Sequence, residues 1–311
     1  MTVNTVTPPQ PANADPERAV FVYLSPDPLG TDANMQGLLN FCSNQGINLV
    51  FMDMYAYLGG ANWTSTHLTR MQLFIQTAHQ SGIRVMFYAG NTTWGESSVY
   101  SWVLANIIQK IQKYQAVATS PYQLADGLIL DVEYWTDNTQ TASVSCPGLC
   151  DLMNIARQIC QMPGAADFKV GCFAAFYLKD SSGSRATFTY QGKTAQDGEF
   201  LMDNSDFVVV GDYRNHANDN GTDGPGINTL HTPWHTYATS AFSWAPLMSK
   251  CKLYVGVETQ NVSPAYSTFY GMTKAAMETE LTTVSNTFKT SGNRDYYGVC
   301  VDCYSSWNAM S

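Results

Sequence analysis

Charged residues are scarce in this chain, and basic residues are the scarcest of them. Among 311 residues, 16 are Lys or Arg and 25 are Asp or Glu, so the formal net charge is −9. Proteins that bind nucleic acid or anionic membranes use clustered Lys and Arg to neutralise phosphates. The composition therefore predicts neither nucleic acid nor a membrane surface as a partner.

The chain also lacks segments that would place it in other classes. It has no apolar run of transmembrane length, no internal repeat, and no glycine-rich dinucleotide fingerprint after its first predicted strand. Residues 1–16 carry no secretory signal and are rich in Pro, Thr and Asn, which predicts a disordered lead. Plentiful Asn, Thr, Ser and Gln favour an extracellular carbohydrate-active protein whose leader is absent, with a cytoplasmic protein as the alternative.

Neither a metal ion nor a cofactor is expected. Cys300 and Cys303 have the spacing of a Cys-x-x-Cys motif, but three residues apart on a strand they face opposite sides. Three of the five histidines fall between residues 216 and 235 at uneven spacing, which favours surface histidines over metal ligands.

Eight hydrophobic runs recur along the chain, most of them followed by a polar loop and a helix-like stripe. This alternation predicts an α/β protein, a single (β/α)8 barrel over residues 17–311, with loop insertions near 179–203 and 216–250. The eight runs are Ala19–Ser25, Ile47–Tyr57, Ile83–Asn91, Leu124–Trp135, Phe168–Leu178, Asp206–Asn215, Lys252–Asn261 and Tyr296–Tyr304.

Acidic residues stand near the C-terminal ends of five of these runs. In a parallel barrel those ends meet at one mouth, where catalytic groups are found. A single acid there could cap the following helix, but a whole set predicts an acidic pocket. The set comprises Asp53, Asp131, Glu133, Asp212, Glu258 and Asp302.

Aromatic residues follow the same strands. Flat rings with polar edges pack against the apolar faces of sugar rings, while nearby acids accept hydrogen bonds from sugar hydroxyls. The alternative for any one ring is that it plugs the top of the barrel. The rings predicted to bind substrate are Tyr55, Trp94, Trp135, Tyr213, Tyr304 and Trp307, and the predicted partner is an oligosaccharide or polysaccharide.

The stretch from Asp126 to Tyr134 resembles the strand-four motif DGxDxDxE of the glycoside hydrolase family 18 chitinases and endo-β-N-acetylglucosaminidases. The resemblance implies that Glu133 is the general acid and that Asp131 orients the substrate acetamide. Asp126 matches the first Asp of the motif, whereas Ile129 stands where the family has its middle Asp.

Two further positions bear on this resemblance. Gly211-Asp212-Tyr213 is similar to the family's Tyr-Asp-Tyr, with Gly in place of the first Tyr. Asp302 stands where the family usually has a Trp beneath the sugar. These departures keep a non-catalytic carbohydrate-binding barrel open as an alternative.

Two other resemblances give Glu133 the same role. Asp131-Val132-Glu133 is similar to the strand end of the family 25 muramidases, although Ser25 stands where that family has an Asp. Glu133 and Glu258 together resemble the acid/base and the nucleophile of retaining (β/α)8 glycosidases. The leading hypothesis is therefore a glycoside hydrolase acting on β-linked, N-acetylhexosamine-containing glycans, with the two-glutamate mechanism on another glycan as the alternative.

Overall fold

The fold is a closed barrel of eight parallel strands, so the predicted (β/α)8 barrel is confirmed. The structure is a computed structural model that describes residues 17–23, 27–55, 64–162, 167–182, 185–241, 251–289 and 296–311. The lead predicted for residues 1–16 lies outside this part. The barrel strands are β1 (Glu17–Val22), β2 (Leu49–Asp53), β3 (Arg84–Ala89), β4 (Gly127–Leu130), β5 (Lys169–Ala175), β8 (Phe207–Gly211), β9 (Lys252–Glu258) and β10 (Tyr296–Asp302). Around the barrel they stand in the order β1-β10-β9-β8-β5-β4-β3-β2.

Helices surround the barrel and present apolar stripes to it. Met71, Phe74, Ile75 and Ala78, for example, are the buried face of one helix, at the three- and four-residue spacing that packing requires. The helices are α1 (Asp32–Asn44), α2 (Ser65–Gln80), α3 (Tyr100–Val103), α4 (Gln109–Val117), α5 (Ala142–Cys160), α6 (Asp197–Asn204), α7 (Ile227–Ala241), α8 (Lys274–Lys289) and α9 (Tyr304–Ala309). A π-helical turn, Leu104–Ile108, joins α3 to α4.

Alternation along each strand separates two apolar clusters. On β4, Leu128 and Leu130 face outward into the large cluster beneath the helices. Ile129 faces inward and joins a second cluster that fills the barrel. Because side chains alternate along a strand, the next inward position after Ile129 is Asp131, just past the strand end. The same alternation carries inward positions of the other strands to the mouth.

The two predicted insertions differ in structure. Residues 179–203 include an antiparallel hairpin, β6 (Phe188–Tyr190) paired with β7 (Lys193–Ala195). The segment 216–250 contains helix α7, so it is not one continuous loop. Leu230, Trp234 and Ala238 are buried at intervals of four residues, and this stripe holds the helix to the barrel despite its polar composition. Residues 242–250 lie outside the described part.

All eight cysteines are buried, and none of them forms a disulfide bond. Among the described residues, no helix is long and apolar enough to cross a membrane.

Candidate active site

The mouth of the barrel has an aromatic floor. Tyr23 and Tyr88 meet edge to face with ring centroids 5.5 Å apart. Phe173 lies 6.0 Å from Tyr213 and 6.5 Å from Trp135. These rings sit on the apolar cluster inside the barrel, so the carboxyl groups above them have little water on one side.

Asp131 follows β4 directly, and its position depends on a close approach between two strand ends. Its N–H donates to Ala89 O at 3.0 Å. A Cβ at Gly90 would lie 2.6 Å from the Asp131 carbonyl carbon and 2.8 Å from its Cβ, so only glycine allows this approach. Burial above Ile129 raises the pKa of Asp131 to about 6, although the Tyr88 hydroxyl, which donates to Oδ2 at 2.7 Å, opposes the shift.

Glu133 is half-buried two residues further on. Its backbone lies between β4 and a 3-10 turn, Tyr134–Thr136. No described residue forms a hydrogen bond or an ion pair with its carboxyl group. Burial, and then the negative charge of Asp131, raise the pKa of Glu133 to about 7. The group is therefore protonated in a large fraction of molecules near neutral pH, as a general acid requires.

Glu258 and Asp302 lie side by side at the ends of β9 and β10, where their Cα atoms are partners in the sheet register. Glu258 is 4% exposed, and its Oε1 accepts the N–H groups of Thr259 (2.7 Å) and Gln260 (2.6 Å). Burial raises the pKa of Glu258, and these backbone donors oppose the rise.

Asp302 is 9% exposed, and its pKa is raised further than that of Asp131 or Glu133. Its Oδ2 accepts the hydroxyls of Tyr23 at 3.2 Å and Tyr213 at 3.3 Å. Burial, and then the charges of Glu258 and Asp131, raise the pKa of Asp302 to about 8. Like charges in a poorly solvated site resist joint ionisation, which is why the shift is this large.

Tyr213 connects the carboxyl groups. Burial, followed by the charges of Asp302, Glu258, Asp131 and Glu133, raises the pKa of its phenol. One side chain is thus within electrostatic reach of all four acids, so the structure brings Tyr213 together with Asp131, Glu133, Glu258 and Asp302. Trp135 lies beside this group, because its ring packs on the same Phe173 ring as Tyr213.

Asp53 and Tyr55 lie at the edge of this site. Asp53 is the last residue of β2 and is half-buried, and its Oδ1 accepts the Tyr55 N–H at 2.9 Å. The Tyr55 side chain is 49% exposed, and its ring lies 6.3 Å from that of Trp102. The exposed Tyr55 ring would therefore meet a ligand that extends beyond the four central acids.

Asp212 does not reach the pocket. It lies on the same face of the chain as Val208 and Val210, which point outward, away from the barrel interior. Its side chain is fully buried between the barrel wall and the helices. There its Oδ2 is 2.6 Å from Nδ1 of His231 on α7. The prediction of Asp212 at the mouth was wrong, because Asp212 faces outward from the strand. Its neighbours Gly211 and Tyr213 are the residues that face inward.

Three predicted aromatic residues also pack away from the four acids. Trp307 is fully buried on the outside of the barrel, with its ring edge to face with Phe41 of α1 at 5.2 Å. Tyr304 packs on the same Phe41 at 5.1 Å. Trp94 is buried in the outer cluster, with its ring 5.9 Å from Trp102. These three rings are therefore part of the packing of the protein, which is the alternative to substrate binding.

The family motif is divided between the two ends of β4. Asp126 lies at the N-terminal end, where its Oδ2 accepts the Val85 N–H at 2.7 Å and lies 2.9 Å from Nε2 of His79. That carboxylate links the start of β4 to β3 and α2 through these two contacts, and it lies at the opposite end of the strand from the pocket. The pocket contains only the Asp131 and Glu133 portion of the motif.

Tyr23 and Tyr88 were missed by the sequence reasoning. Each donates a hydroxyl to a pocket aspartate, and neither stands near an acidic motif. Alternation could have found them, because Tyr23 continues the inward series of Ala19 and Phe21, and Tyr88 follows Met86.

This geometry can support acid catalysis on an uncharged or cationic ligand. A half-buried carboxyl with a pKa of about 7 stands beside a second carboxyl with a pKa of about 6, above aromatic rings. Pairs of acids whose environments separate their pKa values are typical of glycoside-cleaving sites.

The fold places the protein among (β/α)8 barrels. A β-mannanase from the blue mussel Mytilus edulis superimposes with a TM-score of 0.52 and 12% identity, over 94% of this chain and 88% of the mannanase. A chitinase from Rhizomucor miehei gives 0.50 and 13%, over 92% of this chain and 93% of the chitinase.

Gas2p from Saccharomyces cerevisiae, solved with laminaritriose and laminaritetraose, gives a TM-score of 0.51 and 14% identity over 92% of this chain. This chain spans 56% of the Gas2p chain. No protein-family model matches the sequence, and no curated protein matches it. At these identities the similarities show the fold alone.

Proposed function

We propose that this protein is a glycoside hydrolase that cleaves β-linked glycans containing N-acetylhexosamine, with Glu133 as the general acid. The observation that carries the proposal is the environment of Glu133. Burial and the neighbouring Asp131 raise its pKa to about 7, and no described residue occupies its carboxyl group. Glu133 therefore holds a proton that it can donate to a leaving glycosidic oxygen.

Asp131 fits the second part of an acetamido-assisted mechanism. Its Oδ2 is held by Tyr88, while Oδ1 is buried and has no hydrogen-bond partner among the described residues. A buried acceptor without a donor is costly, and the N–H of a substrate acetamide would satisfy it. The negative charge of Asp131 would then stabilise the cationic ring that forms when the acetamide attacks the anomeric carbon.

The test compares the wild type with Glu133→Gln on chitin oligosaccharides, peptidoglycan and N-glycans, with product analysis and a parallel binding measurement. The substitution should lower turnover by at least about 10²-fold and leave binding in place, since amide and acid have the same shape. Glu280→Gln on α8 is the matched control, because Glu280 accepts the Ala217 N–H at 2.7 Å outside the mouth. Full activity of Glu133→Gln would contradict the proposal. A wild type that binds these glycans and cleaves none would favour the non-catalytic alternative.

Glu258 supports a second mechanism at the same site. It stands at the end of β9 in the pocket, where the nucleophile of a two-glutamate mechanism would lie. If Glu258 is the nucleophile, Glu258→Gln should lose several orders of magnitude in turnover, and azide should partly restore it. If the acetamide is the nucleophile, Glu258→Gln should weaken binding more than turnover, and azide should have no effect.

A further inference from the structure

The acids of the pocket are not balanced by basic residues. Among the described residues, no Lys, Arg or His forms an ion pair or a hydrogen bond with Asp131, Glu133, Glu258 or Asp302. Arg185, a basic residue in the adjacent hairpin segment, is engaged by Asp197 at 2.6 Å. Buried carboxyl groups normally occur with a cationic partner or bind a cation.

Asp302 shows this imbalance most clearly. It is nine-tenths buried and continues the inward series of Cys300, so it points into the interior of the barrel mouth. The hydroxyls of Tyr23 and Tyr213 satisfy its Oδ2, whereas its buried Oδ1 has no hydrogen-bond partner. This oxygen can accept a donor from a ligand.

The surroundings favour an organic cation over a metal ion. In the part of the chain that the structure describes, no three His, Cys, Asp or Glu side chains are grouped so as to hold one metal ion. The carboxyl of Asp302 is instead met by the hydroxyls of Tyr23 and Tyr213. Hydroxyl oxygens can accept N–H donors, so they would join the carboxylates of Asp302 and Glu258 in holding an ammonium group.

We propose that the pocket binds a glycan in which at least one hexosamine carries a free, protonated amine, and that this ammonium group is recognised by Asp302 and Glu258. The proposal rests on the proposed function and names its substrate class, a partly N-acetylated glycan in which free amino sugars accompany N-acetylated ones. An ammonium group has three N–H donors and a positive charge, whereas an acetamide offers one N–H and no charge. Asp131 remains the acceptor for an acetamide on the residue that is cleaved.

The proton balance of the site agrees with this assignment. The titratable groups that face Asp302 are Tyr23, Tyr88, Asp131, Tyr213, Glu258 and Cys300. None of them is basic, and the pKa of Asp302 is raised to about 8, so the free site holds a proton there near neutral pH. A bound ammonium group would favour the ionised carboxylate, and binding would therefore release a proton.

The experiment is isothermal titration calorimetry of the full chain carrying Glu133→Gln, which prevents turnover during the titration. The probes are the glucosamine tetramer and its fully N-acetylated counterpart at about pH 6, where an aliphatic amine is protonated. We expect the amine-bearing tetramer to bind at least about 10-fold tighter, a difference of about 1.4 kcal/mol. Titrations in two buffers of different ionisation enthalpy should show a proton released on binding.

Adding Asp302→Asn should abolish both the preference and the proton release while the acetylated tetramer still binds. If the Asp302→Asn variant does not fold, Glu258→Gln is used in its place and should likewise abolish the preference for the amine-bearing tetramer. Asp167→Asn, which removes an exposed carboxylate, controls for general attraction to an acidic protein and should leave the preference unchanged.

Equal or weaker binding of the amine-bearing tetramer would overturn this inference and leave the glycosidase proposal standing. A preference that survives both Asp302→Asn and Glu258→Gln would also overturn it. Failure of the proposed function has a different result, namely an absence of turnover by the wild type on any acetylated or non-acetylated glycan.

Discussion

Replacing Asp302 by Asn should stabilise the protein, and the stabilisation should grow with pH. Burial and the neighbouring acids raise the pKa of Asp302 from 3.8 to about 8. Between those values the folded state holds a proton that the unfolded state has lost, so the stability of the wild type falls as pH rises. Each pH unit across this window costs about 1.4 kcal/mol, which amounts to about 4 kcal/mol between pH 4 and pH 7.

The Asn side chain cannot ionise, and its oxygen can still accept the hydroxyls of Tyr23 and Tyr213. Urea unfolding of both proteins at several pH values measures the difference in unfolding free energy. This difference should be small at about pH 4 and should rise toward pH 8. Asp167→Asn is the control, because that carboxylate is exposed. A difference that does not change with pH, or a variant that is less stable than the wild type at pH 7, would refute the reasoning.

Three further predictions concern the supports of the site. Gly90→Ala should destabilise the protein by at least about 1–3 kcal/mol in thermal unfolding and lower activity, since its Cβ would collide with Asp131, whereas Gly37→Ala on an open face of α1 should not destabilise it. Tyr88→Phe removes a hydrogen bond that lowers the pKa of Asp131, so the acidic limb of the pH–activity profile should move to higher pH while the alkaline limb stays in place; an unchanged acidic limb would count against an ionised Asp131 in the mechanism. His231→Ala should destabilise the fold by about 3–5 kcal/mol in urea unfolding, because it leaves the buried carboxylate of Asp212 unpaired. The turnover of the folded fraction should be unchanged, and a selective loss of turnover would contradict the position of Asp212 outside the pocket.

Much of the barrel could be predicted from local patterns. Runs such as the one around Leu128 to Val132 show which segments are strands, and the helical stripe of Met71, Phe74 and Ala78 shows which segments cover them. Both patterns depend on neighbouring residues in the chain, so the sequence displays them directly. Helix α7 was harder to predict because Pro233 lies within it and because Thr, Asn and His separate its buried apolar residues.

The composition of the pocket could be predicted only in part. The four central acids stand at or just after strand ends, on the inward-facing series of every second residue, and the sequence shows this spacing directly. They are Asp131, Glu133, Glu258 and Asp302. Whether a given alternation faces inward or outward depends on the packing of the whole barrel.

Asp212 shows this dependence, since a regular strand pattern carries it to the outer face. Tyr23 and Tyr88 show the converse, because their importance comes from carboxyl groups contributed by distant strands. Trp307 likewise meets Phe41 only through the packing of α9 against α1.

The central claim is that Glu133 donates a proton to the leaving group. The most direct test measures kcat/KM of the wild type and Glu133→Gln on two β-N-acetylhexosaminides, an alkyl glycoside and a dinitrophenyl glycoside. An alkoxide leaving group needs the proton, whereas dinitrophenolate departs without it. We predict that Glu133→Gln loses about 10²–10⁴-fold on the alkyl glycoside and less than about 10-fold on the dinitrophenyl glycoside. Equal losses on the two substrates would show that Glu133 binds or positions the substrate and is not the general acid.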